Sequence, residues 1–369
     1  MPRNARNSAH PTTIIRLEVE PLDIPLREPF VIATGQVESA RNALVRITLA
    51  DGTVGRGEAA PFPPSGGETQ ETALAAIRGM TPLVEGQDAA GWRPLAARLT
   101  ASFEHQATAR AGVEAAILDA LTRSWGVPLY QFFGGSQTSV TSDLSIPIVA
   151  PDEVARLAQR HVASGARTLK LKVGTTVAED LDRVLALVDG APDAAIILDG
   201  NQGYTPITAL ELLSALEREN VRPILFEQPT HRHDLAGLRF VTERAGIPVA
   251  ADEAVHTAAD ALRVARMGAA NVVNIKLMKS GIVEALDIAA VCRAAHIELM
   301  IGAMIESRLG SAVSAHLAAG LGGFTYIDLD IPLLLAEDPF TGGYTQDGME
   351  YRLDPAAPGH DVSVRALQP

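Results

Sequence analysis

The chain has 369 residues, a formal net charge of −13 and a pI near 5.2, and 47% of its residues are hydrophobic. This acidic balance argues against binding to nucleic acid or to an anionic membrane, because both require clustered positive charge. The lone Cys292 permits no intrachain disulfide, and no apolar run reaches the roughly 18 residues of a membrane span, so we expect a cytoplasmic protein.

The first part of the chain predicts a small α+β domain over residues 12–134, after a disordered tail at residues 1–11. Alternating, β-branched segments favour antiparallel strands, and the later segments have helical periodicity. The predicted strands cover residues 13–19, 29–33 and 43–49, and the predicted helices cover residues 72–77, 92–99 and 107–125. The Gly134-Gly135-Ser136 stretch marks the expected end of this domain.

The second part repeats a short apolar run followed by a helical stretch, a pattern that specifies a parallel sheet. The predicted strands cover residues 143–149, 169–172, 196–199, 224–227, 249–252, 272–276, 298–302 and 325–328. The helices named between them cover residues 178–188, 209–216, 235–242, 259–267 and 283–294. Eight strands close a (β/α)8 barrel, which we expect over residues 135–334. The turn-rich residues 335–369 are expected to fold back onto the first domain.

Charged residues end the successive strands of this predicted barrel. Three are carboxylates, Asp199, Glu227 and Asp252. Each alone could be a helix N-cap, but active sites of such barrels form at the carboxyl ends of the strands, so together they predict one shared site. Three hard oxygen donors suit Mg²⁺. The nearby His231 and His233 lie two residues apart in a polar loop and are expected to be solvated rather than zinc ligands.

Lysines lie at the ends of other strands of the predicted barrel. Lys170 and Lys172 are two residues apart, so both side chains point to one face and into the barrel mouth. A lysine can act as a base only if its pKa falls, and a second ammonium together with a cation would lower it. Lys276 lies four strands beyond Lys172. Two amines that flank one substrate could remove a proton from one face and return one to the other, which predicts racemisation or epimerisation.

The chain resembles the enolase superfamily, and within it the muconate lactonizing enzyme subgroup. Besides the lysine pair, the matching motifs are Asp199-Gly200-Asn201-Gln202, Phe226-Glu227-Gln228-Pro229, Ala251-Asp252-Glu253 and Asn274-Ile275-Lys276-Leu277-Met278-Lys279. Lysine bases and an Mg²⁺-stabilised enediolate are known features of that superfamily. The resemblance implies a modified (β/α)8 barrel with a capping domain. It also implies Mg²⁺ on Asp199, Glu227 and Asp252, acid/base roles for Lys172 and Lys276, and a role for Lys170 at the substrate carboxylate.

The eighth predicted strand resembles that of the dipeptide epimerases. Asp328 and Asp330 are two residues apart, so both can face the mouth and receive an ammonium group. In that family the paired acids hold the amino terminus of the substrate. The resemblance also places Met304 and Glu306 beside the dipeptide, and puts Ser145 where the family usually has a threonine. The expected reaction is epimerisation of L,L-dipeptides to L,D-dipeptides at the C-terminal residue, by a homo-oligomer.

The preferred side chain and some alternative functions stay open at this stage. Family members that act on Ala-Glu use an arginine where this chain has Thr34 and Gly35. Arg27 could replace it, Glu28 could favour a basic side chain, and residues 30–32 could favour an apolar one, which we weakly prefer. Residues 58–62 are expected to act as a lid. The alternatives are an N-acylamino acid racemase, an o-succinylbenzoate synthase, a cycloisomerase, or a catalytically inactive metal-binding barrel.

Overall fold

The computed structural model of the protein describes residues 10–33 and 35–365. The predicted disordered tail lies outside the described residues except for its last two positions. Within the described ranges, no helix is both long enough and apolar enough to cross a membrane.

An antiparallel sheet of three strands begins the fold: β1 (Ile14–Ile32), β2 (Gly35–Leu49) and β3 (Val54–Ala59), in that order. Two of the predicted strands, 13–19 and 29–33, are thus parts of one long strand. Pro21 and Pro25 lie between them and Pro29 begins the second, and a proline cannot donate a backbone hydrogen bond to a neighbouring strand. β1 tolerates them because it lies at the edge of the sheet.

Five helices follow: α1 (Pro63–Gly66), α2 (Gln70–Val84), α3 (Trp92–Ser102), α4 (Ala107–Ser124) and α5 (Leu129–Phe132). Helix α4 lies directly on β3, whose Gly55 and Gly57 leave room for it. A Cβ atom on Gly55 would lie 2.2 Å from the backbone nitrogen of Ala120, and one on Gly57 would lie 2.1 Å from the carbonyl oxygen of Gly112. The close approach of backbone to backbone therefore requires glycine at both positions.

After a short strand β4 (Ser139–Thr141), eight parallel strands run in sequence order around the barrel. They are β5 (Leu144–Ile146), β6 (Thr168–Lys172), β7 (Ala195–Asp199), β8 (Leu225–Glu227), β9 (Val249–Ala251), β10 (Val272–Ile275), β11 (Glu298–Gly302) and β12 (Phe324–Asp328). The first and last strands meet where the Asp143 amide donates to the Ile327 carbonyl oxygen at 2.8 Å. The Ser145 amide donates to the Asp330 carboxylate at 2.6 Å. The predicted barrel with an α+β capping domain is confirmed.

The barrel helices are α6 (Pro151–Ala163), α7 (Val177–Gly190), α8 (Pro206–Arg218), α9 (Leu235–Thr242), α10 (Ala258–Met267), α11 (Leu277–Ser280), α12 (Ile282–Ala294) and α13 (Arg308–Leu321). The sequence analysis did not name α6, α11 or α13. All but two of the residues of α13 are buried. A helix buried on every side lacks the apolar stripe that reveals a surface helix.

The C-terminal segment contains β13 (Phe340–Thr341), β14 (Thr345–Asp347), β15 (Glu350–Arg352) and β16 (Ser363–Val364). β13 pairs with β16, while β15 pairs with both β14 and β4. The segment then returns to the first domain, where the Leu129 amide donates to the Gly359 carbonyl at 2.8 Å. The domain boundaries at 134/135 and 334/335 stay predictions.

Asp119 of α4 links the C-terminal segment to the first domain. Its fully buried carboxylate accepts the backbone amides of Arg56 and His360, both at 3.0 Å, and the Arg123 Nε at 2.8 Å. The His360 Nε2 lies 2.9 Å from the Arg56 carbonyl oxygen, and the Val362 amide donates to Nδ1. One carboxylate thus joins β3, α4 and the C-terminal segment.

Replacing Asp119 by asparagine is expected to lower the free energy of unfolding by about 3 kcal/mol, because a buried amide group would then face donors that need an acceptor. Equilibrium denaturation in urea measures this change. Asp347→Asn is the matched control, since its side chain is 74% exposed. An Asp119→Asn loss no larger than that of the control would contradict this role.

Candidate active site

Strand register brings the predicted site residues to one level at the carboxyl ends of the barrel strands. Lys172 is paired with Asp199 across β6 and β7, and Asp199 is paired with Glu227 across β7 and β8. Asp252 follows β9 directly, and Lys276 follows β10. All five residues are at least nine-tenths buried.

Lys170 and Lys172 share one carboxylate oxygen on one side of the mouth. The Lys170 Nζ lies 3.1 Å from the Asp199 Oδ2, 2.7 Å from the Glu227 Oε2 and 2.6 Å from the Asp328 Oδ2. The Lys172 Nζ donates to the same Asp199 Oδ2 at 2.6 Å. The two amines therefore enter the mouth together, as the alternation of the strand requires.

A second pair of lysines gathers around Asp252 on the opposite side. The Lys276 Nζ lies 2.9 Å from the Asp252 Oδ2. The Lys279 Nζ donates to the Asp252 Oδ1 at 2.5 Å and to the carbonyl oxygens of Asp252 and Asn274 at 2.6 and 2.9 Å. The Asn274 side chain donates to the Glu227 Oε1 at 2.7 Å. Asp199, Glu227 and Asp252 thus each accept a hydrogen bond from a lysine or asparagine side chain.

The three carboxylates differ in their affinity for a proton. Burial would raise the pKa of Asp199, but Lys172 and Lys170 outweigh it and hold that pKa at about 2. For Asp252, Lys276 and Lys279 outweigh burial in the same way, so its pKa lies well below the usual value. Burial and the charge of Asp199 raise the pKa of Glu227 to about 8.

The pKa values of Lys170 and Lys276 are raised, whereas the sequence argument expected a lowered lysine pKa in the presence of a cation. Burial and the charge of Lys170 act to lower the pKa of Lys276, but the carboxylates of Asp252, Glu227 and Asp328 together outweigh them, so the pKa is raised. For Lys170 the carboxylates of Asp328 and Glu227 likewise outweigh burial, and its pKa lies well above the usual value. The sequence argument counted the neighbouring ammonium and a bound cation and omitted these carboxylates, each within hydrogen-bonding distance of an amine.

Apolar side chains form the walls of the pocket above these charges. They come from the end of β1, from the segment before α1, from the segment after β11 and from the turn after β12, and they are Phe30, Ile32, Phe62, Met304, Ile305 and Ile331. The Lys172 Nζ lies 5.9 Å from the centre of the Phe30 ring. The pocket therefore combines a charged floor with an apolar cover supplied partly by the capping domain.

Residues 14–134 match the family described as Mandelate racemase / muconate lactonizing enzyme, N-terminal domain, and residues 153–367 match the one described as Enolase C-terminal domain-like. The chain belongs to the mandelate racemase / muconate lactonizing enzyme family of the enolase superfamily. The predicted resemblance is thereby confirmed over nearly the whole chain.

The relatives include several dipeptide epimerases. An aromatic dipeptide epimerase from Herpetosiphon aurantiacus is 48% identical, covering 96% of this chain and 99% of the relative. The substrate-liganded structure of the L-Ala-D/L-Glu epimerase from Bacillus subtilis is 35% identical with a TM-score of 0.94, covering 96% and 100% of the two chains. The dipeptide epimerase of Enterococcus faecalis, complexed with Mg and L-Leu-L-Tyr, is 35% identical with a TM-score of 0.92, covering 95% and 99%. The prediction of an isomerase of this group is thereby confirmed.

The predicted ammonium-binding acids of the family, Asp328 and Asp330, lie in different environments. Asp328 lines the pocket together with Ser145, and its carboxylate accepts a hydrogen bond from Lys170. Asp330 is fully buried behind them, with one oxygen on the Ser145 amide and the other without a donor. Burial and the charge of Asp328 raise the pKa of Asp330 to about 6. Their predicted role in binding an amine stays a prediction.

Met304 and Glu306, the other predicted substrate contacts, point in different directions. Met304 lines the pocket. Glu306 is fully buried, and its carboxylate accepts the Met304 amide at 3.1 Å. Its other oxygen would lie 2.8 Å from a Cβ atom on Gly310, near the start of α13. Glu306 therefore supports the segment that carries Met304, and it does not itself line the pocket.

The residues proposed to hold Mg²⁺ provide the chemistry that this ion requires. Three buried carboxylates end adjacent strands, and Glu227 Oε2 accepts no hydrogen bond although Lys170 lies beside it. With the side chains turned toward the lysines, the described residues contain no cluster of three or more potential ligands close enough to hold an ion. The oxygen donor set fits Mg²⁺, and Asp199, Glu227 and Asp252 stay its predicted ligands.

The sequence analysis assigned no role to Asn274, Lys279, Glu253 or Asp143. The first two position Glu227 and Asp252 through the contacts given above, while Glu253 lines the pocket and Asp143 lies among the buried acids near Lys170. The small number of lysines in the sequence was a signal that could have identified Lys279. The chain has four lysines, Lys170, Lys172, Lys276 and Lys279, and its remaining basic side chains besides histidine are arginines. All four lysines lie at this mouth, so Lys279 could have been identified by residue type alone.

Proposed function

We propose that the protein epimerises L,L-dipeptides to L,D-dipeptides at the C-terminal residue. The observation that carries this proposal is the placement of Lys172 and Lys276. Lys172 ends β6 and Lys276 follows β10, four strands away in a ring of eight, and both reach the same pocket. Two amines on opposite sides of a substrate are what inversion at one carbon requires.

In the proposed reaction one of these lysines, as the neutral amine, takes the α-proton from one face of the C-terminal residue. The other, as an ammonium, returns a proton to the opposite face, and the reverse reaction exchanges their roles. Mg²⁺ held by Asp199, Glu227 and Asp252 would supply positive charge to the substrate carboxylate as the α-proton leaves. Lys170, in contact with Asp199 and Glu227, adds a fixed positive charge beneath it.

The substrate amine is proposed to lie on Asp328, with Asp330 behind it. Asp328 is the carboxylate of this pair that lines the pocket, and an ammonium group would form a charge-assisted hydrogen bond with it. Ser145 lies beside Asp328 and is fixed by the bond from its amide to Asp330. These contacts support a substrate with a free amino terminus.

The C-terminal side chain is proposed to be apolar, and aromatic residues are included. Phe30 and Ile32 of β1 cover the pocket next to Lys172, and burial of an apolar side chain against them is favourable. The names of the relatives support the same class, since one acts on aromatic dipeptides and another was complexed with L-Leu-L-Tyr.

The test incubates the protein with Mg²⁺ in D₂O and a pooled set of L,L-dipeptides and N-acyl amino acids, and mass spectrometry identifies the compounds that gain one deuterium. Labelling of dipeptides with apolar C-terminal residues is the expected result. Labelling of N-acyl amino acids alone would favour the racemase alternative. Labelling of neither class would contradict the proposal.

Asp328→Asn is expected to lower kcat/KM for dipeptides by roughly 10- to 100-fold, because a charge-assisted hydrogen bond to the amine becomes a neutral one. N-acetylated dipeptides, which have no ammonium group, should lose much less. Asp354→Asn, an exposed position in the C-terminal segment, is the control. Equal losses for free and acetylated substrates would remove Asp328 from amine recognition.

A further inference from the structure

A second cavity, here called the outer cavity, lies beside the active-site pocket between the capping domain and the barrel. Phe62, Met304 and Glu253 line both cavities. Phe62 precedes α1, and Met304 follows β11. The partition between the two cavities therefore includes the side chains of Phe62 and Met304, and a change of rotamer there would join the cavities without movement of the backbone.

The far end of the outer cavity is acidic. Glu68 and Glu104 line it, whereas Glu253 lies at the border shared with the active-site pocket. Glu68 accepts the Thr108 amide at 3.1 Å through Oε1, at the start of α4, whereas its Oε2 is buried and accepts no hydrogen bond. Glu253 is 4% exposed, and its Oε2 also lacks a donor. Two carboxylate oxygens beside this cavity thus remain unpaired.

The two cations of the lining already have other acceptors. Arg110 donates to the carbonyl oxygens of Phe103, Glu104 and Ser280. Lys279 donates to Asp252 and to the Asn274 carbonyl. Neither donates to Glu68 Oε2 or Glu253 Oε2, so these two buried oxygens keep the capacity to accept a hydrogen bond.

We propose that the outer cavity receives the side chain of the substrate's amino-terminal residue and favours lysine or arginine there. The apolar entrance, formed by Phe62, Met304 and Met278, suits the aliphatic stem of such a side chain, and the acidic end suits its charged head. Phe62 can in addition present its ring to the passing cation. This assignment rests on the proposed dipeptide epimerase function and names one part of its substrate.

The route into the outer cavity follows from the two pocket linings. Asp328 and Met304 line the same active-site pocket, and Met304 also borders the outer cavity. A residue whose amine lies on Asp328 can therefore direct its side chain past Met304. A short side chain such as alanine would not reach Glu68 or Glu104, so the acidic end selects for length as well as charge.

The experiment compares L-Lys-L-Phe and L-Arg-L-Phe with L-norleucyl-L-Phe, which has a similar stem and no charge. In the wild-type protein kcat/KM for the basic substrates should exceed that for the norleucine substrate by about 10-fold. Glu68→Gln and Glu104→Gln should each lower this ratio by about 3-fold and together bring it close to one. The norleucine substrate itself should change less than about 2-fold in any variant.

The variants are chosen to separate binding from folding. A glutamine at position 68 can still accept the Thr108 amide, and Glu104 is exposed, so its replacement leaves the core intact. Glu71→Gln is the matched control, since Glu71 is exposed near Glu68 and pairs with Arg41. A ratio near one in the wild-type protein, or a ratio unchanged in the double variant, would overturn the assignment while leaving dipeptide epimerisation in place. Absence of turnover with all three dipeptides would instead contradict the proposed function.

Discussion

Replacement of either Lys172 or Lys276 by alanine is expected to abolish net epimerisation, with a loss of about 10³-fold or more. Each variant should still exchange the α-proton of one stereoisomer with solvent, because the remaining amine reaches only one face of the substrate. The two variants should retain exchange with opposite stereoisomers. This result follows from the separation of β6 and β10 by four strands of the eight-stranded barrel.

The measurement follows deuterium uptake into L,L- and L,D-dipeptides separately, by mass spectrometry after chiral separation. Lys172→Arg and Lys276→Arg are the matched controls. They keep the positive charge beside Asp199 or Asp252, but a guanidinium does not give up its proton at neutral pH. The arginine variants should fold normally and be as inactive in epimerisation as the alanine variants. Full epimerisation by any of the four would contradict the two-base mechanism.

The barrel could be predicted from the sequence because each of its strands is a short apolar run that ends at a charged or turn residue. The strand predicted at 298–302 and the helix predicted at 235–242 match β11 and α9 at both ends. Parallel strands place all their carboxyl ends on one face, so the shared site followed from strand order alone. The convergence of the strand-end residues on one mouth was therefore as predictable as the barrel.

Elements that lack a one-sided apolar pattern were missed or divided. Helix α13 is almost wholly buried, so its sequence shows no one-sided apolar pattern. Strand β1 lies at a sheet edge and carries three prolines, which made its sequence look like two separate strands. The lysine pKa shifts depend on which carboxylate each amine contacts, and that contact depends on side-chain direction. Glu306 shows the same limit, because the family resemblance placed it beside the dipeptide, whereas its carboxylate accepts the Met304 amide and lies near Gly310 of α13.

Removal of divalent cations by a chelator is expected to abolish epimerisation, and addition of Mg²⁺ should restore it. Without the ion, the substrate carboxylate would have to approach the carboxylates of Asp199, Glu227 and Asp252 with only the neighbouring lysines to offset their charge. Asp252→Asn should raise the Mg²⁺ concentration for half-maximal activity by about 100-fold, as expected for the loss of one charged ligand.

Binding of the ion can be measured without turnover, which separates its affinity from its chemistry. At an Mg²⁺ concentration of about 100 times the Kd, the free energy of unfolding should rise by about 2.7 kcal/mol. Asp252→Asn should lose most of this gain, whereas Asp287→Asn, a half-exposed acid on α12, should keep it. If Mg²⁺ stabilised the Asp252→Asn protein as strongly as the wild type, Asp252 would not be a ligand. The role of Asp252 would then be limited to its ion pairs with Lys276 and Lys279. Its carboxylate would balance the charge of these two lysines with or without Mg²⁺.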